Sequence, residues 1–185
     1  NRGPNVNPNA IDTSIDVLAA RSGTGIYVQE ANGVEINDVT TFNVEIDVNI
    51  VNFNSTTTPL SESASHALLS DLTTTINGPI KLLTLAGDIV ANDGTLQPGV
   101  SVRADGTGDI LLSAARDVLV NASVSSGTGH ITLEAGDAID VRAIVFTGGS
   151  GDLVMLAGNT NATDAPGGSL DRITISGTVN TSSGV

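Results

Sequence analysis

The sequence has no cysteine and no tryptophan, one tyrosine, one methionine and three phenylalanines. Without cysteine there are no disulfides and no thiolate metal sites. With aromatic residues at 2%, an interior must be built from Val, Ile, Leu and Ala, which suit narrow stacked layers. Basic residues are scarce too: seven Lys and Arg stand against 20 Asp and Glu, a formal net charge of −13. That excludes the basic footprint of a nucleic-acid binder and works against an anionic membrane surface. No apolar run approaches the roughly 20 residues of a membrane-spanning helix, so no membrane insertion is expected.

What the chain has is a repeat. Gly108-Asp109-Ile110-Leu111-Leu112-Ser113-Ala114 is followed by Val118-Leu119-Val120-Asn121-Ala122-Ser123-Val124. At an offset of 21 residues come Gly129-His130-Ile131-Thr132-Leu133-Glu134-Ala135 and Ile139-Asp140-Val141-Arg142-Ala143-Ile144-Val145. Each unit holds two short runs in which every second residue is apolar, the period of a β-strand. Tandem units at a period near 20 make a solenoid, because a single unit cannot bury its apolar row. The expected fold is all-β, a right-handed parallel β-helix of roughly six to eight coils. Most of the 21 glycines fall at unit boundaries, where the chain must turn.

The pattern extends in both directions. Residues 1–10 read as an irregular entry, and 11–185 as one β-helix domain with a partial coil around Ile15 and Val17. Ile26 and Val28 precede Val34 and Ile36 by the same eight residues that separate Ile110 and Leu112 from Val118 and Val120. Glu30 then occupies the place of Ala114 and Ala135, and is expected at a corner, since an unpaired buried carboxylate is costly. Phe42, Val44, Ile46, Val48 and Ile50 alternate with polar residues and predict a strand. Thr58-Pro59 resembles a helix start. Leu60, Ala64, Ala67, Leu68 and Leu72 fall roughly on one helical face, so a short helix-like excursion is expected at about 54–77. Val100, Val102 and Ala104 match Val118, Val120 and Ala122. Leu153, Met155 and Ala157 continue the first row, and Ile173, Ile175 and Gly177 the second. Two loops interrupt the repeat, 88–99 and 158–172. Both are expected to emerge on one side, where a binding surface would lie.

The phrases at 108–114, 118–122 and 129–137 resemble the coils of filamentous-haemagglutinin-type surface proteins, very long exported bacterial adhesins built on right-handed parallel β-helices. The resemblance covers most of the chain outside 1–10 and 54–77, and it carries no catalytic residues with it. It implies a structural or adhesive segment of a large bacterial surface or secreted protein, extracellular or on the cell surface. Its partners would be a host- or cell-surface protein or glycan and adjoining β-helix coils of the parent chain. A chain beginning at Asn1 and stopping in mid-pattern is expected to be a piece of such a protein.

Catalytic chemistry is thinly represented. The only histidines are His66 and His130. His130 takes a position filled elsewhere by Asp109 and Asp152, as an exposed corner residue would. Asp88, Asp93 and Asp105 lie near one loop with Arg103 close by, a set that could act on a sugar, although Asn-Asp-Gly and Asp-Gly are ordinary turn chemistry. No enzyme activity is expected. Calcium, which takes six to eight oxygen ligands, suits the oxygens of Asp88 and Asp93 in one loop and of Asn159 and Asp164 in the other. A carbohydrate-binding or polysaccharide-cleaving β-helix and a calcium-dependent adhesion module are the alternatives to the structural reading.

Overall fold

The computed structural model describes residues 10–158 and 171–182. Among them all helical and strand assignments are β-strand. The first of three parallel sheets holds Ile11–Thr13, Ile26–Glu30, Ile80–Thr84, Ile110–Ala114, Ile131–Ala135 and Leu153–Ala157. The second holds Val17–Leu18, Val34–Ile36, Ile89–Ala91, Val118–Val120, Ala138–Val141 and Arg172–Ile175. The third holds Ala20–Ser22, Leu72–Thr74, Val100–Ala104, Ser123–Ser126, Ile144–Thr147 and Thr178–Thr181. The chain visits the three sheets in the same order six times, adding one layer per round. This arrangement is consistent with a parallel β-helix.

The apolar rows expected from the repeat stack in register. Ile110, Leu112 and Ala114 pair with Ile131, Leu133 and Ala135, which pair in turn with Leu153, Met155 and Ala157. Ile26 and Val28 join the same rows through Ile80 and Leu82. Val118 and Val120 pair with Ile139 and Val141, and those with Ile173 and Ile175. One continuous core holds inward residues of all three sheets, with Ile36, Leu82, Leu112, Val120, Leu133 and Val145 wholly buried.

The repeat contains three strands and not two. The run from Val118 to Val124 bends at Asn121-Ala122, where two successive amides, Asn121 N and Ala122 N, donate to the single carbonyl of Ala91 in the layer before (2.9 and 3.0 Å). Arg142 N and Ala143 N do the same to Val120 O, and Ser176 N and Gly177 N to Val141 O. The apolar alternation runs through this bend because Ala122 stays inward. Val100–Ala104 is a third-sheet strand: Val102 pairs with Leu72 and Val124. The partner of Val118–Val120 is Ile89–Ala91, a three-residue strand hidden between Asp88 and Asn92-Asp93-Gly94.

At the corner between third and first sheets, Gly78, Gly108, Gly129 and Gly151 stack. None of the four has a positive φ, so they are not there to turn the chain. A Cβ on Gly108, Gly129 or Gly151 would lie closer than 3 Å to the carbonyl oxygen of the glycine one layer back. Buried hydroxyls finish the corner: Thr74, Ser126 and Thr147 donate to the carbonyls of Gly78, Gly108 and Gly129.

Glu30 is also unlike its expectation. It points inward with no exposed surface. Its carboxylate accepts from Thr13 Oγ1, Ile15 N (3.1 Å), Ala31 N (3.0 Å) and Asn32 N (3.3 Å). The partners that make burial affordable come from the first layer and from its own turn.

The expected helix-like excursion is a β-hairpin. Phe42–Val51 and Thr57–His66 pair antiparallel over ten residues, from Phe42↔His66 to Val51↔Thr57. The segment is rich in Ser and Thr, which favour local side-chain bonds over helix. Leu60 and Ala64 also alternate with Ser61, Ser63 and Ser65, and the long preceding strand offers a partner in register. Asn52 and Thr56 close the tip, where Ser55 adopts φ 64, the left-handed residue of a three-residue hairpin loop. Leu72, assigned to the excursion by its sequence, instead returns the chain to the third sheet.

Candidate functional site

Two insertions leave the layers at one corner, between second and third sheets. Residues 37–71, containing the hairpin, leave in the second layer, and 92–99 leave in the third, directly beside them. The loop 158–172 was expected on the same side. It joins Leu153–Ala157 of the first sheet to Arg172–Ile175 of the second, so it enters at a different corner. The difference arises because Val100–Ala104 belongs to the third sheet and not to the second. Asn159 and Asp164 lie outside the described residues.

The two neighbouring insertions are tied together by carboxylates. Asp38 accepts from Ser70 Oγ and from Thr95 N (2.9 Å), while Leu96 N donates to Ser70 Oγ (3.2 Å). These bonds hold the Asp38 carboxyl below the ordinary carboxylate range, the Ser70 bond contributing most. Asp71 Oδ1 accepts from Gly94 N (3.1 Å), and Asp93 Oδ1 closes its own loop on Gly99 N (2.6 Å). Asp71 is wholly buried, in a left-handed conformation (φ 65). Burial pushes its pKa up to about 6, helped by the charges of Asp38 and Asp93 and opposed by the Gly94 bond. Its Oδ2 has no hydrogen-bond partner among the described residues, and neither does the buried Oγ of Ser101. Each stands one residue before the paired Leu72 and Val102. Gly94 sits against both Asp71 Oδ1 and Asp38 Oδ1, where a Cβ would not fit.

Beyond this knot stands the hairpin arm. Val39 and Leu69 bridge its base. Cross-strand pairing puts Val44 with Ala64, Ile46 with Glu62, Val48 with Leu60 and Ile50 with Thr58 on one face. Val44, Ile46, Val48 and Ile50 are 43–56% exposed, and Phe53 at the tip is fully exposed. The other face carries Glu45, Asp47, Ser61 and Ser63. The strand Phe42–Val51 was legible from its alternation. Its partner and its position off the sheets were not.

Asp88 and His130 lie at corners of the layers. Asp88 stands at the corner between first and second sheets, where its Oδ1 accepts from Asp117 N (3.2 Å). Arg116 lies 3.8 Å from both Asp88 and Asp137. The strand Ile89–Ala91 separates Asp88 from Asp93, so the two belong to different corners. Among the described residues no group of three His, Cys, Asp or Glu side chains is placed to hold a metal ion. His130 is exposed at its corner, its Nδ1 meeting Asp152 N at 3.0 Å. No family model, curated protein or solved structure matches the chain.

Proposed function

We propose that this chain is a non-catalytic segment of a right-handed parallel β-helical rod, displayed outside the cell, which docks a partner protein through its hairpin arm. The observation that carries the reading is the open apolar row Val44, Ile46, Val48 and Ile50. A two-stranded sheet is marginal in water by itself, and an unburied apolar face of this kind marks an interaction surface. Phe53 at the tip supplies an aromatic anchor of the sort that dominates interfaces. The right hand follows the rule for parallel strands joined by crossovers. The resemblance of the repeats to filamentous-haemagglutinin-type coils supports a bacterial surface or secreted rod. Non-catalytic service fits the employment of Asp88 and Asp93 as backbone acceptors.

The test replaces 40–68 with a two-glycine link, keeping the Val39–Leu69 bridge. Beads coated with either protein are counted on a panel of cell surfaces, and both proteins are assayed for release of reducing ends from polysaccharides. The trimmed protein should keep its circular dichroism and unfolding midpoint while losing adhesion, and neither should turn over substrate. Unchanged adhesion, or turnover by the intact chain, overturns the reading.

A further inference from the structure

We propose that the outer face of the third sheet binds an acidic oligosaccharide, its carboxylates held by Arg21 and Arg103. This goes beyond the docking arm and does not depend on it. The pairing register lines up one outward ladder across the six layers: Arg21, Thr73, Arg103, Ser125, Phe146 and Asn180. The chain carries 20 acidic and seven basic residues, yet this ladder holds two arginines and no acid. Two other arginines are engaged by acids: Arg116 lies between Asp88 and Asp137, and Arg142 bonds Asp140 at 2.7 Å. Neither Arg21 nor Arg103 forms an ion pair among the described residues.

Both line a hollow of about 180 Å³, together with the buried Thr73, Gln97 from the insertion, and Asp105. A second hollow of about 210 Å³ runs from Arg103 and Asp105 past Ser125 to Phe146. Two strand steps separate the arginines, roughly 10 Å, and four separate Arg21 from Phe146, roughly 19 Å, the length of a short oligosaccharide lying across the strands. The guanidinium fork matches a carboxylate in bidentate geometry. Asp105 selects the rest of the ligand. Its carboxylate repels a bare anion but accepts from a sugar hydroxyl. Gln97 can donate and accept, and the Phe146 ring offers an apolar surface to the C–H side of a sugar.

The experiment is calorimetric titration of the full chain with a hexamer of uronic acids. A neutral glucose hexamer, hexaaspartate and inorganic phosphate serve as the other arms, at low and high salt. The uronate hexamer should bind at low salt and weaken as salt rises, and the other three should not bind. R21A and R103A should each weaken binding about tenfold, the worth of a hydrogen-bonded charge pair. R103K should fall between R103A and the parent chain, because it keeps the charge and loses the fork. R116A and the chain lacking the arm should bind as the parent does, which separates failure of this site from failure of the arm. Circular dichroism checks each variant's fold. No uronate binding at low salt, equal binding of hexaaspartate or phosphate, or indifference to both R21A and R103A would each overturn the proposal.

Discussion

Asp71→Asn should stabilise the protein at neutral pH and remove part of its pH dependence. The carboxyl is wholly buried and its pKa is raised from 3.8 to about 6. The folded state therefore holds the proton more tightly than the unfolded chain does. The sign follows: this group's contribution is fully present below about pH 4 and is lost as pH rises through 6. A rise from 3.8 to about 6, at about 1.4 kcal/mol for each tenfold change in proton affinity, sets a ceiling of ~3 kcal/mol. Water at the exposed insertion beside it screens the charge and reduces the effect to about 1–2 kcal/mol. Asparagine keeps an oxygen for Gly94 N and tolerates φ 65 well. Urea unfolding followed by far-ultraviolet circular dichroism, from pH 4 to 8, measures the difference. The variant should gain about 1–2 kcal/mol at pH 7.5 and nothing near pH 4. Identical pH profiles for the two proteins, or a variant weakened equally at both ends, would refute the burial argument.

Other substitutions read other parts of the fold. Glu30→Ala should cost about 2–4 kcal/mol, because Ile15 N, Ala31 N and Asn32 N lose a buried acceptor. A small loss in urea unfolding would mean that water reaches that corner. Gly129→Ala should cost about 1–3 kcal/mol or prevent folding, since its Cβ meets the Gly108 carbonyl. Gly23→Ala, whose Cβ would meet only Ile76 Cδ1 at 3.8 Å, should be neutral or slightly stabilising in the same thermal melts. Val120→Asp places an uncompensated charge in the wholly buried second-sheet row and should abolish the cooperative melt.

The rows that stack most regularly were the ones written most plainly. Ile110-x-Leu112-x-Ala114 and its copies declare both strand and register, because a one-residue slip would turn every Ile and Leu outward. The bend at Asn121 was not legible, since the inward period of two continues across it. Ile89–Ala91 escaped because turn residues flank a strand only three residues long. The hairpin was half legible: Phe42–Val51 shows its alternation, whereas Thr57–His66 carries a weak apolar signal that also fits a helical face. Glycines such as Gly87, Gly106 and Gly149 do supply the positive φ expected of turn residues, whereas Gly78, Gly108, Gly129 and Gly151 are required by close approach between layers. Asp38 and Asp71 carry no local signal, since their shared role depends on a loop that reaches them from the next layer. Arg21 and Arg103 fall on one ladder, either side of Thr73, only through stacking, which no local pattern encodes.

The three-sheet arrangement is defined by which strands are neighbours, and a cysteine-free chain allows a clean measurement. Arg103 and Ser125 are register partners in adjacent parallel strands. Their Cα atoms should lie about 4.8 Å apart, within the roughly 4.4–6.8 Å that a disulfide spans. Cysteines placed at 103 and 125 should crosslink on mild oxidation, with the circular dichroism unchanged, and the pair 103 and 119 should stay reduced. Crosslinking of 103 to 119 in the folded protein, with 103 and 125 remaining free, would contradict the three-sheet arrangement.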